Sequence, residues 1–133
     1  MHKAYLLASL AAMVAATPAA AENCDLYRIP LSDKLRESEA ARITATGQAT
    51  RPGQVKLIYE ERGWRLVWAT PDNAERGVFF FHREASDYRY VDVWGGVIPP
   101  DEIGSGTRWA MKLPGGVPRR LAQCFEKAVM RGI

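Results

Sequence analysis

The chain has 133 residues, of which 47% are hydrophobic and 25% are charged, and its formal net charge at pH 7 is +3. A charge this small, carried by lysines and arginines spread along the chain, gives no basis for nucleic-acid binding. After the first 21 residues no segment reaches the roughly 20 apolar residues of a membrane span, so we expect a soluble mature protein.

Residues 1–21 have the three parts of an export signal: a lysine near the start, an apolar stretch at 6–16, and three alanines before Glu22. A transmembrane anchor is the alternative, but the apolar stretch is too short to cross a bilayer. Lipid attachment at Cys24 is disfavoured because Glu22 places a charge where such sites have small apolar residues. We therefore expect cleavage after the alanines, a periplasmic or secreted location, and a single exported domain formed by residues 22–133.

Cys24 and Cys124 are the only cysteines, and they lie near opposite ends of the mature chain. In an oxidising compartment the default is that they pair. A reactive thiol is the alternative, but neither cysteine has a nearby histidine or a CxxC partner that would lower its pKa. The sequence therefore predicts a disulfide that closes a loop of about 100 residues. In the chain-entropy model, a loop of this length stabilises the folded state by about 4 to 5 kcal/mol.

Residues 32–46 are compatible with one short helix. Ser32 is a favoured N-cap residue, and Leu35, Ala40 and Ile43 would then face inward. The spacing of the apolar residues is otherwise irregular, so only a short element is predicted here.

Residues 54–70 have the pattern of a β-hairpin. Apolar and polar residues alternate on both sides of Arg62-Gly63, which is the turn signal. A loop of these two residues predicts the cross-strand pairs Leu57 with Trp68, Tyr59 with Leu66, and Glu60 with Arg65. We expect the apolar face of this hairpin to pack against the helix at the end of the chain.

A second hairpin is predicted from residues 77–83 and 88–94, joined by the polar residues 84–87. Its register predicts the pairs Phe81 with Tyr90, Phe80 with Val91, and Phe79 with Asp92. Both faces would then carry apolar groups, which indicates that the pair lies centrally in the sheet or that one face lines a groove.

Residues 99–113 give two conflicting signals. Pro99-Pro100 followed by two acids is typical of a helix start, whereas Gly104 and Gly106 disfavour a helix interior by about 1 kcal/mol each. Trp109, Met111 and Leu113 alternate with polar or small residues, as in a fifth strand. Both alternatives stay open from the sequence.

The last segment, residues 118–132, is the most regular. Pro118 is favoured in the first turn of a helix and Gly132 at its end. An apolar stripe at helical spacing is formed by Leu121, Cys124, Phe125, Ala128 and Val129. The predicted fold class is therefore α+β: an antiparallel sheet of four or five strands, made of two hairpins, packed against a C-terminal amphipathic helix.

The sequence supplies few residues for catalysis or for metal binding. His82 is the only histidine of residues 22–133, and no phosphate-binding or dinucleotide-binding motif is present, so we expect neither a metal nor a cofactor. One hypothesis makes His82 a general base together with Glu84 or Asp92. A histidine at a strand end beside a turn is more often a surface or core-edge residue, so we predict no catalytic residues.

Asp92 is the most unusual polar residue because it stands between two valines in an aromatic strand. It is either an acid that reads a ligand in an aromatic groove, or an acid paired with an arginine or the backbone. Tyrosine, tryptophan and arginine are enriched where binding energy concentrates. The predicted binding residues are Arg83, Tyr88, Arg89, Tyr90, Asp92 and Trp94.

Three functions are compatible with these features. The first is a non-enzymatic binding or accessory module that recognises a protein or an envelope component. The second is a carrier of a small molecule or lipid, with a pocket lined by Phe79, Phe81, Tyr90 and Trp94. The third is a small hydrolase that uses His82. We expect the first, mainly because this exported, disulfide-closed and aromatic-rich domain shows no credible set of catalytic residues.

Overall fold

The computed structural model describes residues 11–12 and 23–133. The predicted export signal, residues 1–21, lies outside the described residues apart from two positions. Among the helices that are described, none combines the length and the apolar character required to cross a bilayer.

The described chain forms a four-stranded antiparallel sheet in which strands that follow one another in sequence are neighbours. Its strands are β1 (Val55–Glu61), β2 (Trp64–Ala69), β3 (Gly77–Glu84) and β4 (Asp87–Gly95). Its α-helices are α1 (Asp33–Thr44), α2 (Ser105–Met111) and α3 (Arg119–Met130), and short 3-10 segments occur at Cys24–Tyr27, Pro52–Gln54 and Pro100–Glu102. This is the predicted α+β fold, with four strands.

The first hairpin, β1–β2, has the predicted register. Tyr59 lies opposite Leu66, Leu57 opposite Trp68, and Glu60 opposite Arg65. Arg62 and Gly63 both have positive φ, at 47° and 81°, which is the backbone that a two-residue hairpin loop requires. An irregularity between Val55 and Leu57 ends the regular alternation near the start of β1.

The second hairpin, β3–β4, departs from the predicted register after its first pairs. Phe81 lies opposite Tyr90 as expected, but Phe80 lies opposite Asp92 and Phe79 opposite Val93. The predicted pairs of Phe80 with Val91 and of Phe79 with Asp92 are wrong because a bulge places Val91 as an extra residue in β4. Since an extra residue moves every later pair by one position, it also changes the face on which later side chains lie.

Both faces of the second hairpin are apolar because helices cover both faces of the sheet, although β4 itself is an edge strand. On one face α3 buries the predicted stripe, which includes Leu121, Phe125 and Val129, against Trp68 and Phe80. On the other face Ala40 and Ile43 of α1 pack with Phe79 and Phe81. The predicted cap of α1 is also present, because Ser32 Oγ accepts a hydrogen bond from the Leu35 N–H at 3.1 Å.

Residues 105–111 form a helix, so the alternative of a fifth strand is wrong. The carboxylate of Glu126, in α3, accepts hydrogen bonds from the N–H groups of Gly104, Gly106 and Thr107 and so caps α2. Gly106 allows this close packing, since a Cβ there would lie 2.7 Å from Ile98 Cδ1 and 3.2 Å from Glu126 Oε1, and these side chains would have to move. Contacts with α3 therefore outweigh the low helix propensity of the glycines.

The Cys24–Cys124 disulfide is present and joins the first 3-10 segment to α3, with 5.5 Å between the two Cα atoms. After this junction the chain runs beside β1, where the Ile29 N–H donates to the Ile58 carbonyl at 3.0 Å. Arg28 and Tyr59 form an isolated β-bridge at the same edge. The disulfide therefore holds a segment that covers the β1 edge of the sheet, while β4 forms the opposite edge.

Candidate binding surface

The six predicted binding residues lie on both faces of β3 and β4. Tyr88 and Tyr90 lie on the α1 face, and Arg83 stacks against Tyr88 there. Arg89 lies opposite His82 and forms an ion pair with Glu84, with 3.0 Å between Nε and Oε2. The structure thus brings Arg83, Tyr88 and Tyr90 together and separates them from Arg89.

Trp94 lies on the α3 face because the bulge shifts the alternation of β4. Its ring packs edge-on against Trp109 at 5.0 Å and against Phe125 at 5.8 Å. Its indole Nε1 is buried and has no hydrogen-bond partner within the described residues. Trp94 therefore helps to hold α2 and α3 against the sheet, away from the residues on the α1 face.

Asp92 pairs with the backbone of its own strand, which is one of the two interpretations that the sequence allows. Its Oδ1 accepts a hydrogen bond from the Val93 N–H at 2.7 Å. Asp87 does the same for the Tyr88 N–H at 2.8 Å, and the Tyr88 carbonyl accepts from Arg42 Nη1 at 3.1 Å. Side chains thus occupy backbone groups of β4 on both sides of the bulge.

Tyr88 is the centre of an arginine cluster that the sequence analysis did not foresee. The guanidinium of Arg65 lies 4.4 Å from the centre of its ring, that of Arg83 at 5.0 Å, and that of Arg42 at 5.6 Å. A cation within about 6 Å of an aromatic ring centre is attracted to it. We call Tyr88 and these three arginines the Tyr88 cluster.

Carboxylates balance the charge of the Tyr88 cluster. Glu39 of α1 has no exposed surface, and its Oε1 accepts from Arg65 Nη1 at 2.5 Å while its Oε2 lies 3.3 Å from Arg42 Nε. Glu60 accepts two hydrogen bonds from Arg65, at 2.8 and 2.5 Å. A carboxylate buried this completely is tolerated only when it is paired and hydrogen-bonded, so Glu39 depends on both arginines.

The pKa values of Arg65, Tyr88 and Asp87 are shifted in directions that preserve their charge states at neutral pH. Burial lowers the pKa of Arg65, but the hydrogen bonds and charges of Glu60 and Glu39 outweigh it and leave that pKa raised. Burial also raises the pKa of Tyr88, which keeps its hydroxyl protonated. The hydrogen bond from Arg42 lowers the pKa of Asp87, with help from the Tyr88 N–H. The site therefore presents cationic guanidiniums, a neutral phenol and an ionised carboxylate.

A cleft of about 500 Å³ lies between α1 and β4, beside the Tyr88 cluster. Its lining consists of Ser38, Arg42, Ala45, Thr46, Phe81, Asp87, Tyr88 and Tyr90, and we call it the α1–β4 cleft. Tyr90 is 44% exposed and packs edge-on against Phe81, with 6.0 Å between ring centres. The cleft therefore offers an exposed aromatic ring next to Arg42, which its ion pair with Asp87 holds in place at 2.9 Å.

Sequence reasoning found the tyrosines and Arg83 but missed Glu39 and Arg42, which come from α1. The expected pairing of Glu60 with Arg65 was a partial signal. The spacing of Glu39 and Arg42, three positions apart on one helix, was a second signal, because such residues lie on the same helix face. Neither signal shows, from sequence alone, that Arg42 and Arg65 both lie against the ring of Tyr88.

His82 packs against the ring of Trp64, with 4.6 Å between ring centres, and lies next to Gly115. The two acids that were considered as partners of His82 bind other groups. Glu84 forms an ion pair with Arg89, and Asp92 accepts a hydrogen bond from the Val93 N–H. Within the part of the chain that the structure describes, no group of three histidine, cysteine or acidic side chains is placed to hold a metal ion.

The four residues expected to line a carrier pocket do not share one face. Phe79 and Phe81 are buried against α1, whereas Trp94 packs against Trp109 on the opposite face.

Comparison of the chain with protein-family models, with curated proteins and with solved structures finds no match.

Proposed function

We propose that this chain is an exported, non-enzymatic binding protein that recognises another protein or an envelope component through the α1–β4 cleft. One observation carries the proposal: the exposed ring of Tyr90 and the guanidinium of Arg42 line the same cleft, and Tyr88, Glu39 and Asp87 hold that guanidinium in place.

Fixed arginines favour binding because ordering a long side chain at an interface is unfavourable by about 0.5 to 1.5 kcal/mol. In this site Arg42 is ordered before any partner arrives, by Asp87, by Glu39 and by the Tyr88 carbonyl. Tyrosine and arginine are also the residue types that most often dominate the energy of an interface. The α1–β4 cleft thus has the composition and the preorganisation of a contact surface.

The charges around the cleft suggest the chemistry of its partner. Glu39, Glu60 and Asp87 balance Arg42 and Arg65, whereas Arg83 is exposed and stacks on Tyr88. We expect a partner that places an apolar or aromatic group against Tyr90 and a carboxylate or carbonyl oxygen near Arg83.

Two further features support export to the periplasm or the cell exterior. The Cys24–Cys124 disulfide is of a kind that persists in oxidising compartments. The first 21 residues have the pattern of a cleavable signal. Mass analysis of native material tests this part directly, and we expect the mature chain to begin at Glu22 with both cysteines oxidised.

Capture of partners by the oxidised mature protein tests the binding proposal. The wild type, Tyr90→Ser and Leu26→Ser are immobilised and exposed to the same envelope extract. Leu26 is a matched control, because it is an exposed apolar residue outside the cleft. We expect a protein or envelope component retained by the wild type and by Leu26→Ser to be lost with Tyr90→Ser.

Thermal unfolding of the three proteins shows whether the substitutions leave the fold intact. Retention of the same components by Tyr90→Ser and by the wild type would place recognition elsewhere on the molecule and would end the proposal for this cleft.

A further inference from the structure

A second groove lies between α2 and α3, on the outside of the helices that cover the other face of the sheet. Its volume is about 480 Å³. Arg119, Gln123 and Lys127 line it from α3, at every fourth position and therefore along one helix face. Arg108 and Met111 line it from α2, with Ile103 just before that helix.

The charge of this α2–α3 groove is positive. The acid in its lining is Glu126, and both of its oxygens accept hydrogen bonds from backbone N–H groups at the start of α2. Within the described residues, no ion pair joins Arg108 or Arg119 to an acidic side chain. Arg108 and Arg119 are therefore cationic groups that the groove's own carboxylate does not neutralise.

The same groove has apolar side chains at its rim. Ile103 is 64% exposed and Met111 is 40% exposed, although both are large apolar residues. In addition, the side chain of Thr107 is buried in the lining and its Oγ1 has no hydrogen-bond partner among the described residues. The exposed apolar side chains of Ile103 and Met111 indicate that a partner covers this surface.

We propose that the α2–α3 groove binds an acidic amphipathic helix of a partner protein. Complementary charge favours acidic residues opposite Arg108 and Arg119, and apolar residues of the same helix would contact Ile103 and Met111. Arg119 and Gln123 are four positions apart on α3, which is about 6 Å along a helix axis, so two polar residues one turn apart on a facing helix can meet both. This site lies on a different face from the α1–β4 cleft and does not depend on it.

Fluorescence anisotropy with two labelled synthetic peptides tests this proposal. The first peptide repeats the pattern Glu-Leu-Leu-Glu-Glu-Leu-Ala, and the second has lysine in place of each glutamate. We expect the oxidised mature protein to bind the acidic peptide at least about tenfold more tightly than the basic one at low salt, with the difference shrinking as salt is added.

Matched charge reversals separate the groove from the net charge of the molecule. Arg108→Glu with Arg119→Glu should weaken binding of the acidic peptide by about tenfold or more. Lys34→Glu with Lys56→Glu changes the net charge equally at exposed positions outside the groove and should leave the affinity within about twofold. Ile103→Asn should weaken binding several-fold without changing the charge.

Three results would overturn the proposal. The first is an acidic peptide that does not bind, and the second is an equal loss of affinity in both charge-reversal variants. The third is binding to vesicles of anionic phosphatidylglycerol, lost in the Arg108/Arg119 variant, together with no binding of the peptide, which would assign the groove to a membrane surface. Tyr90→Ser should bind the peptide as the wild type does, so failure of one proposed site is distinguishable from failure of the other.

Discussion

Replacing Cys24 and Cys124 by alanine should lower the free energy of unfolding by about 4 to 5 kcal/mol. The disulfide joins residues 100 positions apart, so it restricts almost the whole unfolded chain of residues 23–133. The side chain of Cys124 is also fully buried among core residues of α3, and its loss adds a small packing term. For a domain whose total stability is about 5 to 15 kcal/mol, the double variant should be close to its stability limit.

Urea unfolding followed by tryptophan fluorescence measures this effect, because Trp64 and Trp68 are fully buried. The variant should show a lower midpoint and a steeper dependence on urea, since an unfolded chain without the disulfide exposes more surface. In thermal unfolding the expected decrease in Tm is about 20 °C. Wild-type protein that has been reduced and alkylated serves as the control and should behave much as the double variant does.

A loss of less than about 1 kcal/mol, with an unchanged urea dependence, would refute this reasoning. It would mean that the unfolded chain is already restricted without the disulfide, or that the segment after Cys24 contributes nothing to the fold. Unchanged unfolding of the variant but not of the reduced wild type would instead point to damage by alkylation.

Three further predictions concern single side chains. Glu39→Gln should destabilise the protein by about 2 to 3 kcal/mol in urea unfolding, because Arg65 and Arg42 lose a buried counter-charge. Glu126→Ala should lower the free energy of unfolding by about 1 to 3 kcal/mol, because the three backbone N–H groups that donate to the Glu126 carboxylate lose their acceptor. Burial raises the pKa of Tyr88 above its ordinary value of 10.0, so with rising pH this hydroxyl loses its proton in the unfolded chain before it does so in the folded protein. The contribution of Tyr88 to the free energy of unfolding is therefore intact below about pH 10 and falls at higher pH. Tyr88→Phe should flatten that decline, whereas an equally steep decline in the variant would contradict it.

The fold was largely predictable because its strongest signals are local. Alternation on both sides of Arg62-Gly63 determines the register of β1 and β2, and the turn itself requires only two positive φ angles. The stripe of α3 is likewise visible at helical spacing. The helix at residues 105–111 was not predictable because it depends on hydrogen bonds to Glu126, which is distant in sequence. The bulge at Val91 was not predictable because no local sequence pattern marks it.

The candidate site was predictable only in part, for the same reason. Tyr88 and Tyr90 stand out in an aromatic strand, but the arginines that act on Tyr88 come from three different elements. Sequence shows that Glu39 is an acid on a helix of irregular pattern. Only the tertiary structure shows that it is buried between Arg42 and Arg65.

The hydrogen bonds that Asp87 and Asp92 make along β4 have a consequence for how copies of the protein meet. An exposed sheet edge is a template for pairing with another chain, and fibrils can grow by repeating that contact. To stack on this edge, an incoming strand would have to displace two aspartate side chains from the N–H groups of Tyr88 and Val93. Even at high local concentration, polymerisation through β4 is therefore opposed by the strand's own acids.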